Sequence, residues 1–221
     1  MLQIEKALDL IKTKYLTYII SYEQEFSREE TPQFPVAALR ESLMNAVAHK
    51  NYAVASPIQI SVYRDHIVFW NPGHLPESWT MDRLWEKHPS IPFNPSIANT
   101  MFRCGDIENW GRGYKRILKA VKEQKLLPPK LESVSGLMVT YYTDPAIQLN
   151  AEKLSEREIA VIDFTAKNDR ITSSDVQNLL GVSKPTAKRI LQSLVDTWLR
   201  LVPLGKYSYY ELVVYDILAA H

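Results

Sequence analysis

Hydrophobic and polar positions in the first 145 residues repeat with two periods, one typical of helices and one of strands. Apolar residues spaced by three or four positions predict helices, and strict alternation predicts half-buried strands. The predicted elements are helices over residues 2–20 and 36–49, strands over 58–62 and 67–70, a helix between Gly113 and Pro128, and a strand over 137–142. Helices that flank an antiparallel meander predict an α+β fold, here a two-layer α/β sandwich.

Two polar or proline-rich segments interrupt this pattern. Residues 27–32 are polar and separate the first helix from the second, which Pro35 opens in the way that a first-turn proline does. Five prolines fall between Pro72 and Pro95, and this density predicts an irregular loop.

The pattern changes at residues 144–150, where a strand ends and a new helical pattern follows. Ser155 and Glu158 have the spacing of a capping box and predict the start of a helix. A second short helix ends at Gly181, and Ser183 is the expected N-cap of a third. Two strands follow within residues 201–214. We therefore expect a first domain over residues 1–145, a linker over 146–153 and a small second domain over 154–221.

Composition narrows the class of protein without selecting a function. Of the 221 residues, 46% are apolar and 23% charged, which excludes disordered, collagenous and coiled-coil classes. The net charge of +1 excludes nucleic-acid binding through bulk charge but leaves room for a local basic stripe. A single cysteine, Cys104, excludes an internal disulfide and fits a reducing compartment. No apolar run is long enough to span a membrane, so we expect a cytoplasmic protein.

Three polar residues share one stripe of the predicted 36–49 helix. Glu41, Asn45 and His49 are spaced by four, so they line one face, nearly opposite the apolar face. Glu41 could act as a general base, and the Asn45 oxygen is a suitable ligand for Mg²⁺. The spacing alone favours the plainer alternative of a solvated helix face.

Glycines mark two further segments that could hold an anion. Asn71–Gly73 closes the predicted hairpin, and Gly111–Gly113 opens a helix, where free backbone N–H groups and the helix dipole favour negative charge. Arg112, Lys115 and Arg116 add positive charge beside that helix end. Each segment taken alone is also explained as an ordinary turn.

The order of these segments resembles the GHKL fold of gyrase, Hsp90, MutL and histidine-kinase ATPases. Glu41 and Asn45 match its N-box, Asn71–Gly73 its first glycine box and Gly111–Gly113 its second. The likeness over residues 1–145 is closer still to RecG-related bacterial regulators with a divergent ATP-binding domain. The phrases that carry it are residues 34–52, 71–76, 94–98 and 107–113.

The resemblance implies ATP and Mg²⁺ as ligands. It implies Glu41 as the catalytic base, Mg²⁺ on Asn45, and nucleotide contacts from Asn45, His49, Asn71, Gly73, Gly111, Arg112 and Gly113. Related regulators carry a Schlafen/AlbA-type domain upstream, so we expect this chain to be the C-terminal part of a longer protein. Asn71 stands where GHKL ATPases have an adenine-binding Asp, Leu75 replaces a glycine, and Phe93 replaces an Arg. These departures weaken the expectation of adenine binding and of hydrolysis.

The small second domain resembles a winged helix-turn-helix. In that motif, the first residues of the last helix face base edges in the major groove and the wing touches the backbone. The matching positions are Ser183, Lys184, Thr186, Lys188, Arg189, Lys206 and Tyr207. Winged helices also serve as dimerisation modules, which is the alternative here.

Together these features favour a bacterial transcriptional regulator, with an ATP-binding sensor domain and a winged helix that binds double-stranded DNA as a homodimer. One alternative is a GHKL-type ATPase that uses Glu41. The other is a non-enzymatic assembly module with a vestigial pocket. The sequence contains no P-loop, zinc-protease or serine-hydrolase motif.

Overall fold

The computed structural model describes residues 2–24, 27–86, 88–89, 91–105, 113–150, 152–204 and 207–215. They form an α+β structure that divides into two compact units. The first unit comprises Met1–Gln124 and Pro128–Thr143, and the second comprises Lys125–Leu127 and Asp144–His221. The short stretch 125–127 therefore packs with the second unit, although the sequence boundary at residue 145 assigned it to the first.

The first unit combines four α-helices and six strands among its described residues. The helices are α1 (Leu2–Leu10), α2 (Val36–His49), α3 (Pro95–Arg103) and α4 (Gly113–Glu123), and the strands are β1 (Tyr18–Gln24), β2 (Ser27–Pro32), β3 (Gln59–Val62), β4 (His66–Asn71), β5 (Lys130–Ser133) and β6 (Leu137–Tyr142). A π-helical turn covers Ile11–Tyr15 and a 3-10 turn covers Asp82–Leu84.

The central sheet of this unit is antiparallel, with the strand order β3-β4-β6-β5. Phe69 in β4 lies opposite Ile60 on one side and Val139 on the other. Successive residues of β4 alternate between partly buried and buried, so one face of the sheet carries the core. Helix α2 packs against β4 and against α4. The Ser42 hydroxyl joins α2 to β6 through a 2.7 Å hydrogen bond with the Tyr141 hydroxyl.

The predicted helix over residues 2–20 is wrong in its second half. Helix α1 ends at Leu10, the π-helical turn ends at Tyr15, and β1 begins at Tyr18. The aromatic and β-branched run Tyr18–Ile20 favours a strand, and it pairs with β2, the segment predicted as a polar interruption.

Two further helices lie where none was predicted. Helix α3 falls within the proline-rich loop, and Pro95 occupies its first turn after Asn94 at the N-cap. Helix α5 (Pro145–Leu149) lies in the predicted linker, where the Asp144 side chain accepts a 2.7 Å hydrogen bond from the Ala146 amide. Both are short helices opened by a proline, and neither has enough residues for a clear apolar repeat.

The second unit contains the elements that the sequence predicts after residue 154. They are α6 (Glu156–Asn168), α7 (Ser173–Leu180), α8 (Lys184–Leu194), β7 (Leu199–Leu204) and β8 (Tyr207–Leu212). Its core includes Leu149, Val161, Ile162, Ile171, Val176, Leu191 and Leu199.

Local signals fix the ends of these helices. The capping box of Ser155 and Glu158 opens α6 as predicted, and Thr172 and Asp175 form a second box at the start of α7. Gly181 ends α7 with φ of 62°, a backbone conformation that glycine adopts without steric cost. Among the described helices, none has the length and apolar character needed to cross a bilayer.

Candidate ligand-binding site

A cavity of about 340 Å³ lies within the first unit. Its wall is formed by one side of α2, the end of β4 with the turn that follows, part of the segment 74–93, the start of α4, and β6. The polar and aromatic side chains on this wall include Glu41, Ser42, Asn45, His49, Phe69, Asn71, His74, Trp79, His88, Phe93 and Tyr114. The cavity therefore collects side chains from segments that are far apart in the sequence.

The polar stripe of α2 faces this cavity. Glu41, Asn45 and His49 all line it, and Glu41 is only 5% exposed. Helix α2 is buried on its apolar side as well, where Leu39 and Leu43 belong to the core. The alternative of a solvated helix face is thus wrong for Glu41, whereas Asn45 and His49 are half-buried on the cavity wall.

Helix α4 holds Glu41 from the other side. An Arg116 nitrogen lies 3.5 Å from Glu41 Oε2, so the buried carboxylate has a cationic partner. A Cβ atom at Gly113 would overlap Glu41 Oε1 and would lie 3.3 Å from Asn45 Nδ2. The glycine at the start of α4 therefore permits close packing of α4 on the polar stripe, and Arg116, predicted as a charge for an anion, is paired with Glu41.

The Asn71–Gly73 turn closes the cavity next to the end of α2. The Gly73 amide donates a 2.8 Å hydrogen bond to the Asn71 carbonyl, and the Asn51 amide donates one of 3.1 Å to the Pro72 carbonyl. Asn71 is 4% exposed, and its Oδ1 has no hydrogen-bond partner among the described residues. A buried acceptor without a partner costs free energy, which a ligand with a donor would recover.

Three histidines line the cavity. Burial lowers the pKa of His49, and a proton on the nearby His88 ring would lower it further, so His49 is neutral at pH 7. The rings of His74 and Phe93 pack edge to face at 5.1 Å, and those of His88 and Trp79 pack at 4.7 Å. The sequence predicts only His49 as a site residue, because His74 and His88 lie in the loop, where no periodic pattern distinguishes buried from exposed positions.

The role of Asn94 is also not indicated by the sequence. Its Nδ2 donates hydrogen bonds to the carbonyls of Ala48, at 3.1 Å, and Lys50, at 2.7 Å. These are carbonyls at the C-terminal end of α2, which have no partner within the helix. Asn94 thereby ties the loop to the helix that carries the polar stripe, a long-range contact that the Asn94–Pro95 phrase alone does not reveal.

Some predicted residues cannot be assigned to the site. Gly111, Arg112 and Lys206 lie outside the described residues, and Tyr207 is described only as the first residue of β8. Among the described residues, no group of three or more His, Cys, Asp or Glu side chains could hold a metal ion. A Mg²⁺ ion at Asn45 would therefore need ligand atoms from a bound molecule, as is usual for Mg²⁺ in phosphate sites.

The predicted DNA-contacting residues lie in the second unit, on and beside α8. Lys184, Lys188 and Arg189 are exposed, whereas Ala187 and Leu191 of the same helix are buried. Ser183 is the N-cap residue, and its hydroxyl lies 3.1 Å from that of Thr186. The exposed face of α8 is thus basic, although the chain as a whole is nearly neutral.

Comparison with known proteins gives one family match and a distant structural likeness. Residues 55–140 match the family model described as "Putative ATP-dependent DNA helicase recG C-terminal". This segment contains Asn71, Gly73 and Gly113 but begins after α2. No curated protein matches the chain.

The fold is similar to the crystal structure of the DIP2311 protein from Corynebacterium diphtheriae, with a TM-score of 0.58 and 19% sequence identity. The likeness covers 98% of this chain and 46% of that one, so the chain spans less than half the length of the other protein. At this identity the likeness concerns the fold alone.

Proposed function

We propose that the first unit is a divergent GHKL-type domain that binds ATP and Mg²⁺, and that the second unit is a winged helix-turn-helix that binds DNA. The chain would then act as a bacterial transcriptional regulator, with the nucleotide as its signal. The main support for nucleotide binding by the first unit is that one cavity is lined by Glu41, Asn45, His49, Asn71 and Gly113. The match of residues 55–140 to the RecG C-terminal family model supports the same assignment.

The chemistry of the cavity fits a nucleotide. Its volume falls within the range of about 300–1,000 Å³ that is common for small-molecule sites, and its apolar and aromatic wall suits a flat base. Asn71 Oδ1 is an unpaired acceptor for a base amino group. Asn45 would hold Mg²⁺ together with phosphate oxygens, and bound ATP would supply the phosphates and a cleavable phosphoanhydride bond.

A thermal-shift measurement tests nucleotide binding. Mg-ATP at one hundred times its Kd should stabilise the folded chain by about 2.7 kcal/mol, a rise in Tm of a few degrees. Asn45→Ala should abolish this rise. Asn178→Ala removes an exposed amide on α7 and should leave it unchanged. The absence of a shift at millimolar Mg-ATP, in folded wild-type protein, would refute the proposal.

DNA binding by the second unit rests on the order α6, α7, α8 and the β7–β8 hairpin, together with the exposed basic residues of α8. Lys184, Lys188 and Arg189 could neutralise backbone phosphates while the first turn of α8 meets base edges. A homodimer would bind two half-sites about one helical turn of DNA apart.

Salt dependence of duplex binding is the sharpest test of this surface. Replacing both Lys188 and Arg189 with Ala should weaken binding and reduce the slope of log K against log salt by about 0.9 for each lost phosphate contact. The control pair Lys153→Ala and Arg157→Ala removes two exposed cations elsewhere in the unit and should leave the slope unchanged. Equal slopes for wild type and the α8 double variant would rule out this placement.

ATP hydrolysis is a second candidate activity, favoured by the position of a buried, ion-paired carboxylate on the cavity wall. Glu41 could orient and deprotonate a water molecule for attack on a phosphate. Phosphate release should then stop in Glu41→Gln while nucleotide binding persists, and Glu123→Gln, an exposed position on α4, should behave as wild type.

Failure of the chain to bind either nucleotide or DNA would instead favour an assembly module.

A further inference from the structure

The ring of His88 has a defined hydrogen-bonding state. Its Nδ1 lies 3.0 Å from the Pro89 carbonyl oxygen. Because a carbonyl oxygen only accepts, Nδ1 must donate and therefore carries the proton. In the neutral ring Nε2 is then an acceptor. This atom is buried and has no hydrogen-bond partner among the described residues.

Asn71 presents a second acceptor of the same kind. Its Oδ1 is buried and unpartnered among the described residues, and both side chains line the same cavity. Buried polar atoms in folded proteins nearly always have partners. Two unpaired acceptors on one cavity wall therefore indicate a ligand that supplies two hydrogen-bond donors.

The rest of the wall restricts the ligand further. Among the lining residues that the structure describes there is no Lys or Arg, and the carboxylate of Glu41 already has Arg116 beside it. Trp79, which packs against the His88 ring, adds a flat apolar surface. The side chains of Trp79, His88 and Asn71 suit an uncharged aromatic ring rather than a phosphate.

We propose that His88, with Asn71, selects an amino-substituted heteroaromatic base, and that this base end is sufficient for binding without phosphates. The inference rests on the proposed function of the cavity as a nucleotide site, and it names the group that determines its base specificity. Adenosine itself is then a ligand, and its 6-amino group is the feature that the site detects.

Titration of the full chain with adenosine, purine riboside and Mg-ATP tests this proposal. Purine riboside lacks only the 6-amino group, so wild type should bind adenosine about tenfold more tightly. His88→Phe keeps a ring against Trp79 but removes one of the two acceptors, so the preference for adenosine should fall to the smaller share that Asn71 provides. His74→Phe changes the other loop histidine on the wall and should keep the wild-type preference.

A second substitution at His88 distinguishes loss of the acceptor from a folding defect. His88→Gln replaces the ring with a side chain that still offers an acceptor, and it should retain part of the preference for adenosine. Thermal melts of each variant without ligand establish that the cavity is folded before binding is compared.

The outcomes separate this inference from the nucleotide proposal. Equal binding of the two nucleosides by wild type, or an unchanged preference in His88→Phe, overturns the role of His88 even if Mg-ATP binds. Binding of Mg-ATP without adenosine overturns the claim that the base end suffices. Binding of adenosine without Mg-ATP supports the inference and overturns the nucleotide proposal, and binding of neither ligand overturns both.

Discussion

Replacement of Gly73 by alanine should destabilise the first unit, because the new methyl group would meet backbone that cannot move aside. An ideal Cβ at this position overlaps the His49 carbonyl oxygen and lies 3.0 Å from Asn71 Nδ2. To restore an ordinary van der Waals distance, the end of α2 and the turn would have to move apart by about 1 Å. The hydrogen bond from the Asn51 amide to the Pro72 carbonyl resists that separation.

The expected loss is about 1–3 kcal/mol in the free energy of unfolding, the usual cost of overpacking. Urea unfolding followed by circular dichroism measures it. Gly105→Ala is the matched control, because a Cβ there has no atom within 4 Å and its only cost is the left-handed backbone at φ of 76°. That strain costs about 1 kcal/mol. If Gly73→Ala were as stable as wild type, or more stable than Gly105→Ala, the packing argument for this turn would be refuted.

Three further predictions concern single contacts. Tyr141→Phe leaves the buried Ser42 hydroxyl without its 2.7 Å partner, which should cost about 1–3 kcal/mol in urea unfolding. Burial raises the pKa of Tyr141 in the folded chain above the unfolded value of about 10. The stability that the neutral Tyr141 hydroxyl contributes is therefore complete below about pH 10 and is lost as pH rises above it. Between about pH 9 and 11, Tyr141→Phe should lose less stability than wild type. Asn94→Asp should lower the Tm more than Asn94→Ala, because a carboxylate would face the carbonyl oxygens that now accept hydrogen bonds, and equal Tm values would contradict this. Thr172→Ala breaks the capping box with Asp175 and should cost about 1 kcal/mol in thermal unfolding, whereas Thr172→Ser, which retains the hydroxyl, should cost little.

Local patterns predicted the fold well where two signals agreed. Helix α2 has the predicted bounds because Pro35 fixes its start and an apolar repeat runs through it. The N-terminal helix failed where the signals conflicted: Ile19 fits the helical repeat, yet it is 62% exposed and belongs to a strand. Its partner β2 is polar except for Pro32 and has no apolar alternation to detect; its pairing with β1 identifies it as a strand.

The candidate site shows a similar division. The spacing of Glu41, Asn45 and His49 correctly placed them on one stripe, but could not tell whether water or protein covers it. That depends on α4 and the segment 74–93, which approach α2 only in the folded chain. For the same reason the sequence contains no signal for His88. Its proposed role depends on the tautomer, which the hydrogen bond to the neighbouring Pro89 carbonyl determines.

Gly113 belongs to the predicted glycine segment 111–113, but the structure gives this glycine a different physical role from the predicted one. In the sequence, a glycine at this position predicts the approach of an anion to a helix start. In the structure, the missing side chain lets the start of α4 press against Glu41 and Asn45. Arg116, one turn further along α4, then reaches the Glu41 carboxylate. The position of α4 consequently sets the charge that a ligand meets beside α2, because any shift of this helix changes the distance between the carboxylate and its cation.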